Sequence, residues 1–112
     1  MKIYHNPRCR KSRETLELIR SKGVEPEIYL YLEEKITAKQ LKDVLAKLGI
    51  KAEQLIRKGE SVYKENFKGK DMSENDWIKA MIEYPKLIER PIVIKDQKAV
   101  LGRPPENALE LL

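Results

Sequence analysis

Met1-Lys2-Ile3-Tyr4-His5-Asn6-Pro7-Arg8-Cys9-Arg10-Lys11-Ser12-Arg13 opens the chain as a short apolar strand that breaks at a proline-containing loop and restarts as a helix. Met1 to His5, with Ile3 central, has strand character. Leu16 and Ile19 lie three apart with Leu18 between them, which predicts a helix over about Lys11 to Lys22, ended by Gly23. Glu27-Ile28-Tyr29-Leu30-Tyr31-Leu32 is β-branched and aromatic and predicts the second strand. A strand, a helix and a strand joined by a connection of this length form a parallel, right-handed βαβ unit.

The loop of that unit holds the only cysteine and the only histidine of the chain. A thiol acts as a nucleophile only as thiolate, and neighbouring cations or a helix N-terminus lower its pKa. Both devices are predicted at Cys9, with Arg8, Arg10, Lys11 and Arg13 around it and Pro7 fixing the approach of the chain. A thiol of pKa about 8.5 is only about 3% ionised at pH 7, and lowering it by roughly 1.5 units ionises half of it. A core cysteine would not be bracketed by four cations that must each reach water or an anion. His5 reads equally as a satisfied structural residue and as a partner that tunes the thiol.

At 112 residues the chain has room for one domain. One cysteine excludes an internal disulfide, and one Cys with one His cannot close a four-ligand zinc site, so no metal is expected. The first residues lack the apolar core of a signal peptide and no stretch approaches 18 apolar residues, so neither export nor a membrane span is expected. A free thiol then points to the reducing cytoplasm. The net charge of +5 is concentrated: seven basic residues stand against Glu14 and Glu17 in positions 1 to 22, while the rest of the chain balances at 16 against 16. A cationic patch beside a thiol suits a small anion, and no nucleic-acid-reading motif accompanies it.

Residues 36 to 84 read as a helical insertion. Thr37-Ala38-Lys39-Gln40 is a capping box, followed by Leu41, Val44, Leu45 and Leu48 at helical spacing before Gly49. A short helical turn through Ala52, Leu55 and Ile56 leads to Arg57 and Gly59. Lys64 to Asp71 is polar and lysine-rich, which predicts a solvated loop. Ser73 reads as the N-cap of a helix with Trp77, Ala80, Met81 and Tyr84 on one face, stopped by Pro85. Ile92-Val93-Ile94 and Ala99-Val100-Leu101 flank Asp96-Gln97 and predict an antiparallel hairpin. Gly102-Arg103-Pro104-Pro105 introduces a last helix carrying Ala108, Leu109 and Leu112. The sum is an α/β fold with a mixed sheet of about four strands and a helical insertion between a βαβ half and a ββα half.

Four blocks now stand in order: His5-Asn6-Pro7-x-Cys9-x-x-Ser12-Arg13, Leu55-Ile56-Arg57-Lys58, Leu87-Ile88-x-Arg90-Pro91-Ile92-Val93 and Gly102-Arg103-Pro104. Together they resemble the glutaredoxin-coupled arsenate reductases, whose fold is thioredoxin-like with a helical insertion. The resemblance implies that Cys9 is the nucleophile that attacks arsenate or a similar oxyanion. It implies further that Arg57, Arg90 and Arg103 hold the anion, that His5 and Ser12 keep the sulfur ionised, and that Pro91 is the cis-proline set against the active loop. Glutathione would attack the arsenic adduct as co-substrate, glutaredoxin would remove the glutathione, and arsenite would leave, with no bound cofactor.

The residues ask for much of this on their own terms. A thiolate and an anion repel, so fixed guanidinium forks are needed to bring them together. In Glu89-Arg90-Pro91 and Gly102-Arg103-Pro104 the proline biases the preceding arginine to extended backbone. With no second cysteine, any adduct on Cys9 must be resolved by an external thiol. Thr15, six residues after Cys9, rules out the Cys-x5-Arg loop of phosphatase-like reductases. Two further readings are a glutathione-dependent oxidoreductase of another substrate and a transcription regulator of the Spx type that binds RNA polymerase. Ser12 stands where such regulators carry the second cysteine of a redox switch.

Overall fold

The computed structural model describes all of Met1–Leu112, and the chain divides into two compact units, Met1–Glu34 with Arg90–Leu112, and Lys35–Glu89. The first unit holds a four-stranded mixed sheet in the order β2-β1-β3-β4. Strand β1 (Lys2–Tyr4) runs parallel to β2 (Glu27–Tyr29), with Ile3 opposite Ile28. Helix α1 (Arg10–Ser21) makes the crossover between them. On its other side β1 pairs antiparallel with β3 (Ile92–Lys95), placing Ile3 opposite Val93. The hairpin to β4 (Lys98–Leu101) turns at Asp96-Gln97, with Asp96 at φ 56, a left-handed value that Asp tolerates better than most residues.

Helix α1 turns Leu16 and Ile19 onto Ile3 and Val93, and Ala108 and Leu111 of the C-terminal segment complete this core. Burying each such aliphatic side chain stabilises the fold by about 1.5–3 kcal/mol. The last segment is a 3-10 helix over Pro105–Leu111, not the α-helix expected. At three residues per turn Pro105, Ala108 and Leu111 fall in line and are buried, while Leu109 and Leu112, two of the apolar residues read on this helix, are exposed. Strand β2 is also shorter than the predicted run to Leu32. The N–H groups of Glu33 and Glu34 donate to the Leu30 carbonyl and the Leu30 N–H donates to the Glu34 carboxylate, which turns the chain before Leu30 can continue the ladder.

In the second unit α2 (Ala38–Leu48) begins at Thr37, whose hydroxyl accepts from the Gln40 N–H at 3.1 Å while the Gln40 side chain accepts from the Thr37 N–H at 2.8 Å. Helix α4 (Glu74–Glu83) begins with the same reciprocal arrangement between Ser73 and Asp76. It packs on α2 and on 3-10 turns at Ala52–Leu55 and Pro85–Leu87. The polar stretch read as a solvated loop from Lys64 is partly helical, because α3 (Ser61–Asn66) forms there. Its aromatic residues override the lysine-rich composition: Tyr63 and Phe67 pack on Trp77 at ring separations of 6.3 and 6.0 Å, and Phe67 meets Tyr84 edge-on. An antiparallel bridge between Ile56 and Ile88 extends this unit to Glu89, past the end at 84 that the sequence suggested. No helix is long and apolar enough to cross a membrane.

Candidate active site

Cys9 is the N-cap of α1, with the extended backbone of that position (φ −94°, ψ 122°) and no side-chain cap hydrogen bond of the ordinary kind. The loop that delivers it is built from its own polar groups. The Asn6 carbonyl accepts from the Cys9 N–H at 3.0 Å, the Asn6 side-chain oxygen accepts from the Arg8 N–H at 3.0 Å, and Arg13 donates to the Pro7 carbonyl at 2.9 Å. These contacts hold the bend between β1 and α1, so the half-buried sulfur sits over the first turn of the helix.

Burial pushes the Cys9 thiol up, but the Ser12 N–H, a hydrogen bond and the positive charge from Arg90, and the Lys11 N–H outweigh it and leave the thiol below its ordinary value. Free helix N–H groups stabilise an anion at this position. Of the cations adjacent in sequence, Arg8 is exposed and the other three have partners elsewhere. Arg10 pairs with Glu14 at 3.0 Å, Lys11 reaches the same carboxylate at 3.6 Å, and Arg13 is spent on Pro7. The side-chain charges adjacent in sequence are therefore not among the groups that lower it; the helix N–H groups of Ser12 and Lys11 and a guanidinium 81 positions away are.

His5 and Ser12 lie together and buried, with His5 Nδ1 2.6 Å from the Ser12 hydroxyl oxygen, which also accepts from the Asn6 N–H at 3.0 Å. Burial, then the charges of Arg20 and Arg13, lower the His5 pKa, so the ring is neutral near pH 7 and supplies no positive charge to the sulfur. Its partner Ser12 presents a backbone N–H to Cys9. His5 and Ser12, expected to help keep the sulfur ionised, thus lie joined to each other in the loop that carries Cys9.

Arg90 comes to Cys9, and Arg103 comes to the backbone of Arg90. Arg90 reaches the sulfur, and Arg103 Nη1 donates to the Arg90 carbonyl at 3.3 Å. The Arg90–Pro91 peptide is cis, as the resemblance implied for Pro91, and so is Arg103–Pro104. The two segments are tied by the Gly102 N–H, which donates to the Pro91 carbonyl at 2.9 Å. An added Cβ on Gly102 would meet Thr15 Oγ1 at 2.7 Å and Pro91 Cγ at 2.8 Å, so glycine is what lets helix, proline and loop approach.

Arg57 belongs to the second unit, where its surroundings are acidic. Its N–H donates to the Leu87 carbonyl at 2.7 Å, its Nε pairs with Glu89 at 3.2 Å and its Nη1 with Glu60 at 3.3 Å. Glu60 and Glu89, missed in the sequence, were legible only as neighbours of arginines. No group of three His, Cys, Asp or Glu side chains is gathered to hold a metal ion.

The arrangement in the first unit sets a thiol at a helix N-terminus within reach of the Arg90 guanidinium, with Arg103 held on the Arg90 carbonyl, a cationic setting suited to a thiolate and an oxyanion. Comparison with known proteins agrees with this chemistry. A family model described as the ArsC family matches residues 4–111. The chain is 53% identical over 114 residues to the uncharacterised protein YfgD of Escherichia coli K12, covering 100% of this chain and 96% of that one. It is 47% identical to an arsenate reductase of Haemophilus influenzae, covering 98% and 97%. The solved arsenate reductase of Vibrio cholerae superposes with a TM-score of 0.94 at 44% identity, over 99% of this chain and 96% of the other.

Proposed function

The chain belongs to the ArsC family, and from that premise we propose that it reduces arsenate through Cys9, in the cytoplasm, with glutathione as co-substrate and a glutaredoxin as partner. The observation that carries the reading is the placing of one thiol at a helix N-terminus under the Arg90 guanidinium, with Arg103 against the Arg90 carbonyl. Arginine forks suit tetrahedral oxyanions and offset the repulsion between thiolate and anion. Arg57, paired with Glu60 and Glu89 in the second unit, is kept as a third anion ligand on the strength of the family resemblance alone.

The chemistry balances as a two-thiol reduction. The Cys9 thiolate bonds to As(V) and one arsenate oxygen leaves as water. A glutathione thiol then supplies the second sulfur, the As–S bond breaks as As(V) takes two electrons, and arsenite departs as Cys9 and glutathione form a mixed disulfide. Glutaredoxin removes the glutathione by thiol–disulfide exchange. The single cysteine supports an external reductant, because no second thiol is present to close an internal disulfide.

A coupled assay with glutathione, glutaredoxin and NADPH tests the reading. NADPH consumption should require both arsenate and Cys9. Consumption that does not depend on arsenate would assign the thiol to another oxidised substrate. The anion site has its own test: arsenate, phosphate or sulfate should protect Cys9 from iodoacetamide, and Arg90→Lys should weaken that protection about tenfold, because a point charge does not replace the fork. Unchanged protection would remove Arg90 from the anion site.

A further inference from the structure

Three consecutive carbonyls, those of Leu101, Gly102 and Arg103, are each held by a side chain from elsewhere in the first unit. Asn107 Nδ2 donates to Leu101 O at 3.1 Å and to Arg103 O at 3.2 Å, one N–H for each. The buried Thr15 hydroxyl shares its proton between Lys11 O at 2.7 Å and Gly102 O at 3.2 Å. The Asn107 N–H adds a bond to Pro104 O at 3.0 Å. A turn of four residues with an exposed arginine at its tip does not need this much fixing to connect a strand to a 3-10 helix. It does need it if the direction of that arginine matters, because an Arg side chain carries about 2 kcal/mol of rotamer entropy and a mobile backbone would add to what binding must offset.

We infer that Asn107, with Thr15, is a positioning residue that presets Arg103 for the oxyanion. Neither touches the sulfur or the anion; both act through the backbone of residues 101–103. The inference rests on the function proposed above, since it takes Arg103 to be an anion ligand. It makes a separable claim about how the site is divided. Cys9 is activated by Arg90 and by the N–H groups of Ser12 and Lys11, and Arg103 is not among the groups that lower its pKa. Loosening the Arg103 loop should therefore weaken anion binding and leave the thiol titration where it is.

The experiment measures two quantities on Asn107→Ala, Thr15→Val and Thr15→Ser: the pH midpoint of iodoacetamide alkylation of Cys9, and the concentration of sulfate or arsenate that halves its rate. Asn107 is half-buried, so Asn107→Ala carries the test should Thr15→Val fail to fold. The expected result is about a fivefold loss of anion protection in Asn107→Ala and Thr15→Val, the factor set by one net hydrogen bond. The alkylation midpoint should stay unchanged, and Thr15→Ser should restore protection. In turnover the loss should fall on KM more than on kcat. Unchanged protection overturns the inference, and so does a protection loss accompanied by a shifted thiol midpoint, which marks general loosening. Arg103→Ala separates the two layers. If it leaves protection intact, the anion role of Arg103 fails and this inference with it; if it weakens protection while Asn107→Ala and Thr15→Val do not, only the positioning claim is lost.

Discussion

Helices α1 and α4 start in opposite ways. At α4, Ser73 and Asp76 satisfy each other's backbone N–H groups and the first turn carries Glu74 and Asp76, acids that suit the positive end of the helix dipole. At α1 the N-cap is a cysteine that makes no such cap, the first turn has no acid, and Arg10 and Lys11 stand where the dipole disfavours cations. The first arrangement closes a helix end against water. The second leaves N–H groups of Lys11 and Ser12 to a sulfur and so favours its thiolate form. A structural start and a chemical start differ in whether the orphan donors are consumed within the helix or reserved for an anion.

The sharpest way to break this comparison is to turn α1 into an ordinary start. Cys9→Ser should abolish arsenate-dependent turnover in the coupled assay, while serine, a preferred N-cap, keeps the fold intact in far-UV circular dichroism. Turnover surviving the change would move the chemistry away from Cys9.

A smaller effect is expected from removing the distant cation. Arg90→Met should raise the alkylation midpoint of Cys9 by about one pH unit, because an opposite charge at hydrogen-bond range lowers a pKa by roughly that much or more. Arg10→Gln and Arg8→Gln should leave the midpoint in place. The reverse pattern would return the activation to the sequence-adjacent cluster.

Ser73→Ala, on the other side of the comparison, should cost about 1 kcal/mol, or about 4 °C in melting temperature, without moving the thiol midpoint. A shifted midpoint would show that the two helix starts are not independent.

The smallest effect is a pH dependence. The folded Cys9 pKa lies below its unfolded value, so its thiolate contributes stability fully above the ordinary thiol range, and that contribution is lost as pH falls through the lowered value. Cys9→Ser should therefore melt slightly above the parent chain at acidic pH, by a few tenths of a kcal/mol. The advantage should shrink or reverse as pH rises toward the thiol range. A difference that ignores pH would mean the sulfur gains no net ionisation from the fold.

Much of the architecture was legible because it depends on spacing. The apolar period of Leu41, Val44 and Leu45, the capping boxes at Thr37 and Ser73 and the hairpin at Asp96-Gln97 are local signals, and each element formed where its signal lay. Local signals failed where contacts at a distance prevailed. Tyr63 and Phe67 made a helix of a lysine-rich stretch because Trp77 was there to receive them, and the 3-10 winding of Pro105–Leu111 exchanged Leu109 for Leu111 in the core.

By itself the sequence determined that one thiol sits between a strand and a helix, that any second thiol comes from outside, and which arginines precede prolines. Those are facts of composition and order. Which cation reaches the sulfur was decided only by the tertiary structure. Four basic residues within four positions of Cys9 turn to Glu14, to Pro7 or to solvent, and Arg90 is carried to it by the cis-proline segment at the start of β3. Coulomb energy depends on distance and dielectric, not on separation along the chain, so only the folded backbone could choose among them.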